Sequence, residues 1–104
     1  MYTIGKLSKK TGVTVRTLDY YDQISLLSPK EMTEGGHRLY SDHDVMRLEQ
    51  ILALKYMGFP LDKVKQLLHE TDWRTSVLEQ LDMVRAEKRR LELLEQALEG
   101  FIMR

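Results

Sequence analysis

Cysteine is absent from the 104 residues, proline occurs twice and tryptophan once. Without thiols there is no disulfide, no thiolate metal site and no cysteine redox chemistry, and a reducing compartment fits by default. An excess of one charge is missing too, since 16 Lys and Arg face 16 Asp and Glu, so the strongly basic total that would flag a nucleic-acid partner is not there. No apolar run approaches the roughly 20 residues that span a bilayer, and the N-terminus lacks the basic and apolar blocks of a secretory signal. The expectation is a soluble, cytoplasmic chain with no membrane partner. Catalytic signatures are absent as well: no acid and base are paired in a glycine-rich setting, and there is no phosphate-binding loop or nucleophile motif, so the chain is not expected to be an enzyme. His37, His43 and His69 are too dispersed for a metal site and read as surface or capping residues; no metal or cofactor is expected.

What is present is more telling. The length suits one unit of ordinary size, with no internal repeat or low-complexity tract. Charge is distributed unevenly. Up to Tyr40 there are six basic residues, Lys6, Lys9, Lys10, Arg16, Lys30 and Arg38, against four acids, Asp19, Asp22, Glu31 and Glu34, while Glu79, Asp82, Glu87, Glu92, Glu95 and Glu99 gather near the C-terminus. A neutral total therefore does not exclude DNA. The stretch from Thr11 to Tyr21 reads as a tight turn feeding a helix: Gly12 suits the left-handed conformation that stops a preceding helix, and Thr14 supplies a capping oxygen to the next. Val15 and Leu18 form an inward stripe, leaving Arg16, Thr17 and Tyr20 outward near the helix N-terminus, where a recognition helix meets the bases.

A first helix is predicted from Thr3 or Ile4 to Thr11, capped by Thr3, with Ile4 and Leu7 inward and Lys6, Lys9 and Lys10 outside. After Pro29 the chain extends, and Gly35-Gly36 separates two short arms, Lys30 to Thr33 and His37 to Tyr40, in a hairpin of the kind called a wing beside a helix-turn-helix. Ser41 caps a third helix, with Asp44 completing a capping box and Val45, Leu48, Ile51, Leu52 and Lys55 at helical spacing as far as about Met57. Gly58 ends it. Pro60 is expected to be the first residue of a fourth helix, with Leu61, Val64, Leu67 and Leu68 inward and an end near Glu70. From Trp73 a single helix of about 30 residues, roughly 45 Å, is predicted. Val77, Leu81, Val84, Leu91, Leu98 and Ile102 step along one seam of it, with Lys88 and Glu95 as polar members and Leu94 and Phe101 widening it. Such a seam needs a partner, and a second copy is the expected one. The chain is thus expected to be mainly α: a winged helix-turn-helix with a further helix pair over residues 1–71, then a dimerisation helix over residues 72–104 whose coiled coil has a strand direction that the spacing leaves open.

With these elements in order, the chain resembles the DNA-binding and dimerisation part of the MerR-family transcription regulators. The resemblance covers nearly the whole length and is carried by Val13 to Tyr21, Ile24 to Pro29, Gly36 to Ser41 and Leu54 to Phe59. Within the family the Gly58-Phe59-Pro60-Leu61 turn is similar to that of multidrug- and thiopeptide-responsive members. The resemblance implies a homodimer, joined by an antiparallel coiled coil over residues 72–104, on a pseudo-palindromic promoter operator in double-stranded DNA, which it bends and untwists to activate transcription, with RNA polymerase on the same promoter. It implies that Arg16, Thr17 and Tyr20 face the major groove beside the capping Thr14, that Tyr21 packs behind or touches phosphate, that Arg38 and Tyr40 of the wing grip the backbone, and that Lys55 reaches a phosphate. Val77, Leu81, Val84, Leu91, Leu94 and Leu98 are the expected dimerisation residues. Asp19 stands where a basic or aromatic residue is frequent; it either accepts from cytosine or orients Arg16. The family's effector-sensing part is not recognised before Arg104, so no small-molecule effector is expected on this segment, either as a fragment of a longer regulator or as one that stands alone.

Plainer readings compete with these. The helix after Gly12 can be an ordinary surface helix, Tyr20 and Tyr21 core aromatics, the hairpin a connector, Trp73 a packing anchor, and Lys63, Lys65 and Lys88-Arg89-Arg90 solvated faces. A coiled-coil adaptor whose helix-turn-helix meets protein is the rival class, and a steep fall of DNA affinity with salt tells against it.

Overall fold

Thr3 does cap the first helix: its hydroxyl accepts from the Lys6 amide at 3.3 Å, and Gly12, at φ 77°, ends it with its own amide on the Ser8 carbonyl. In the computed structural model, which describes residues 1–104, this helix is α1 (Ile4–Thr11) and is followed after two residues and the capping Thr14 by α2 (Val15–Gln23). Leu18 and Tyr21 of α2 are buried, but Val15 is 40% exposed rather than inward. As the first residue of the helix it lies at the edge of the body, where three-residue spacing no longer guarantees cover.

Helix α2 closes on a doubly bonded turn. The Leu26 amide reaches the Tyr21 carbonyl at 2.8 Å and the Ser25 amide the Asp22 carbonyl at 3.0 Å, with Ser25 at φ 59° in the left-handed position that glycine usually fills. The turn folds Leu26 and Leu27 back into the core.

Strands β1 (Tyr2–Thr3), β2 (Glu31–Met32) and β3 (Arg38–Tyr40) form an antiparallel sheet in the order β1-β3-β2. Tyr2 pairs with Tyr40 and Glu31 with Leu39, so the wing's inner strand is tied to the N-terminus. The two residues of β1 are too few to show a period, so no strand is expected there from the residue pattern. The hairpin closes through the Gly36 amide on the Thr33 carbonyl at 3.0 Å, with Gly36 at φ 80° after the turn rather than at its centre.

Helix α3 (Asp42–Tyr56) opens on the full capping box: Ser41 Oγ accepts from the Asp44 amide at 3.1 Å and Asp44 Oδ2 from the Ser41 amide at 2.8 Å. Those two bonds explain how Asp44 is tolerated among buried residues. Pro60 is the cap of α4 (Leu61–Leu67), one residue earlier than its expected place inside the helix, and α4 ends three residues short of Glu70. The core joins Leu7, Leu18, Tyr21, Leu26, Leu27, Tyr40, Val45, Leu48, Ile51, Phe59, Val64 and Leu67, and so is built by α1, α2, β3, α3 and α4 with the turns between them, while β1, β2 and the last helix supply none of it. That last element, α5 (Arg74–Ile102), runs 29 residues without a buried side chain and stretches the molecule to 71 Å in its longest dimension. Gly100 does not break it. No helix is long and apolar enough to cross a membrane.

Candidate DNA interface

The N-terminal turn of α2 is fixed by its own hydroxyls. Thr14 Oγ1 accepts from the Thr17 amide at 3.1 Å and lies 2.8 Å from Thr17 Oγ1, to which it donates. With that donation the Thr17 hydroxyl keeps its own proton for an outside acceptor. Arg16 is exposed and Tyr20, four residues on, is 49% exposed, so both project from the same outward side as this turn. An Arg fork, a hydroxyl donor and a phenol on one exposed helical turn are a set able to meet base edges and phosphates.

Tyr21 and Tyr40 lie elsewhere. Tyr21 is buried against the core, and its hydroxyl accepts from Lys55 Nζ at 3.3 Å while the ammonium sits 5.9 Å from the ring centroid. Lys55 is therefore on the surface but leaning on α2, with two of its three N–H bonds left to donate. Tyr40, expected at the DNA backbone, is completely buried as an inner residue of β3, and its hydroxyl has no hydrogen-bond partner. Burial of that phenol pushes its pKa above the ordinary value. Alternation along the strand explains the placement: Tyr40 and Arg38 lie on one face, and only the longer, charged side chain reaches out of the core.

Arg38 is occupied. Its two terminal nitrogens grip two carboxylates of α2, Nη2 on Asp19 and Nη1 on Asp22 at 3.2 Å. Hydrogen bonding to Asp19 raises the already high pKa of the guanidinium further. Asp19 thus orients the wing arginine, not Arg16. Two more cations pin the end of α2 and its turn: Lys65 Nζ donates to the Ile24 carbonyl at 2.8 Å, and Arg47 Nε to the Leu26 carbonyl at 3.1 Å. No local pattern marks Arg47 or Lys65 for this work, because their acceptors are backbone atoms far away in sequence.

The expected dimerisation residues are spread along α5. Leu81, Val84, Leu91, Leu94 and Leu98 are 37% to 59% exposed, and Phe101 and Ile102 more so; only Val77, at the start, packs partly on the core. Gln80 ties the helix to the body, donating from Nε2 to the Met57 carbonyl at 2.9 Å beside Gly58. Where α3, α4 and α5 meet there is a half-open apolar groove of about 360 Å³ lined by Leu54, Met57, Leu67, Leu68, Trp73 and Val77 among others.

A helix pair joined by a three-residue link, the second member facing outward beside a hairpin, defines a winged helix-turn-helix protein. The family described as MerR HTH family regulatory protein matches residues 2–71, and the one described as MerR, DNA binding matches residues 45–101. The chain belongs to the MerR family. It is 43% identical over 100 residues to the HTH-type transcriptional activator TipA of Streptomyces coelicolor, which covers 94% of this chain and 40% of TipA. The crystal structure of MtaN, the N-terminus of the Bacillus subtilis multidrug transporter activator, superposes with a TM-score of 0.88 at 35% identity over the whole of both chains. That of HiNmlR, a MerR-family regulator lacking the sensor domain and bound to promoter DNA, gives 0.66 at 31% identity, covering 93% of this chain and 86% of HiNmlR. The chain thus spans well under half the length of TipA.

Proposed function

We propose that the chain is the DNA-reading and pairing part of a transcription regulator that binds a pseudo-palindromic promoter operator as a homodimer, and bends and untwists it to activate transcription by RNA polymerase. The observation that carries this reading is the outward turn of α2, where Arg16 and Tyr20 are exposed and Thr17, held by Thr14, is half-buried beside them, while Leu18 and Tyr21 on the opposite side anchor the helix in the core. Arg16 supplies base discrimination through its bidentate fork, worth about 1–3 kcal/mol at one position. Thr17 and Tyr20 add donors, and Lys55 supplies a phosphate contact with its free N–H bonds; Thr14 sets the helix start. Tyr21 and Tyr40 act from inside, as packing. The reading unit is residues 1–71 and the clasp residues 72–104, with no catalysis in either.

Pairing follows from the unpartnered seam of α5. In an antiparallel coiled coil with its centre between Arg89 and Arg90, Val77 faces Ile102 of a second copy, Leu81 faces Leu98, Val84 faces Glu95, and Lys88 faces Leu91 with Glu95 one turn on. Leu94 broadens the same surface. Two reading helices on one clasp then require inverted half-sites.

The test is selection of bound sequences from a random DNA pool, followed by footprinting. Inverted half-sites with distortion at their centre are expected, and Arg16→Ala is expected to reduce discrimination at one base position of each half-site by about 1–3 kcal/mol. Failure to enrich any sequence at moderate ionic strength would overturn the reading.

A further inference from the structure

We propose that Asp19 sets DNA selectivity indirectly, by capturing the wing arginine Arg38 and keeping its guanidinium away from phosphate. Resting on the DNA-reading role proposed above, this gives that interface a residue that acts against binding rather than for it. The geometry is a three-member cluster: Arg38 of β3 between Asp19 and Asp22 of α2, each carboxylate taking one terminal nitrogen. All three side chains are only about one-third to two-fifths exposed, so the fork is partly shielded from competing water and salt.

Three consequences follow from charge and direction. Both terminal nitrogens of the guanidinium are turned to carboxylates of α2, and a phosphate reaching Arg38 has to displace a grip on two anions. One cation facing two anions leaves the cluster net negative. That negative charge lies one helical turn from Arg16, on a surface that otherwise would attract any phosphate. Phosphate contacts add affinity without sequence information, whereas base contacts discriminate. Withholding Arg38 therefore lowers the sequence-independent part of binding and leaves more of the total to Arg16, Thr17 and Tyr20. Asp22 alone holds only one nitrogen; Asp19, somewhat the more exposed of the two half-buried carboxylates, completes the grip.

The experiment measures binding of the full chain to two duplexes of equal length, one carrying a sequence enriched by the unaltered chain from a random pool, the other of mixed sequence, over a range of salt concentrations. Asp19→Ala is expected to raise affinity for the mixed-sequence duplex severalfold, to raise it less for the enriched one, and to steepen the salt dependence by about 0.9 in log–log slope for each released arginine. Asp19→Asn, which keeps shape and loses charge, is expected to move both quantities the same way by less. In an Arg38→Ala background the Asp19 substitutions should lose most of their effect. An undiminished gain in that background would overturn the proposal, since it would come from removing a negative charge alone. So would a loss confined to the enriched duplex, which would make Asp19 a base-reading residue. If the unaltered chain enriches no sequence, the DNA-reading role itself fails; the Asp19 outcomes bear on the capture of Arg38 alone.

Discussion

Tyr40 shows how a single residue changes meaning once its neighbours are known. Its place in a ribbon after Arg38 suggests a phenol held out to a phosphate, yet the side chain is sealed in the core with an unpartnered hydroxyl. A buried hydroxyl without a partner costs desolvation and returns nothing. Tyr40→Phe is accordingly expected to leave DNA affinity unchanged and to be neutral or stabilising by up to about 1 kcal/mol, read from denaturant midpoints. Because burial raises the phenol's pKa in the folded state, the unfolded chain loses its proton first as pH climbs past the ordinary tyrosine value of about 10. Folding stability from this group is therefore intact below pH about 10 and declines as pH rises from there toward the folded value. Tyr40→Phe should remove that component of the alkaline decline. Arg38 makes the complementary point: sequence identifies a cation on a wing, and only the packing of the wing on α2 reveals that two carboxylates already hold it.

At the scale of elements, the caps were legible and the joints were not. Thr3, Thr14 and Ser41 each cap the helix expected of them, because a hydroxyl and an amide three residues on interact locally, whatever the rest of the chain does. The joint between α3 and α5 depends on residues over twenty positions apart. Gly58, at φ 94°, leaves the Met57 carbonyl open to Gln80, and a Cβ at Gly58 would sit 2.7 Å from Gln80 Nε2. Gly58→Ala is expected to destabilise the fold by about 1–2 kcal/mol through left-handed strain, while Gln80→Ala, which removes only the bond, should cost about 0.5–1.5 kcal/mol. Thermal or denaturant unfolding of the two variants measures both. The short strand β1 and the left-handed Ser25 belong to the same class of feature, set by partners that no local pattern announces.

For the molecule as a whole, the question is what covers α5. Beyond Val77 and Gln80 near its start, this 29-residue helix with no buried side chain has little packing within its own chain to stabilise it, so the pairing proposed above has to supply that packing. The proposed register makes two substitutions differ in outcome. Leu81→Glu places a charge in a layer opposite Leu98 and should shift the chain to monomer in sedimentation at micromolar concentration, with loss of sequence-specific binding. Leu91→Glu lies opposite Lys88 and should be tolerated better, keeping a measurable dimer fraction. Equal dissociation by both would shift the register, and an unchanged dimer with Leu81→Glu would remove Leu81 from the interface.

By itself the sequence determined the helices, the caps of the first three, the hairpin, the apolar seam and the outward placement of Arg16 and Tyr20, because each depends on chemistry within one or two helical turns. Only the tertiary structure decided which tyrosines are core, that Arg38 is held by Asp19 and Asp22, that Arg47 and Lys65 pin the end of α2, and that Gln80 anchors α5. Each of those contacts joins residues sixteen or more positions apart or turns on how much surface a neighbouring element covers, and neither separation nor cover is encoded in the local spacing of residue types.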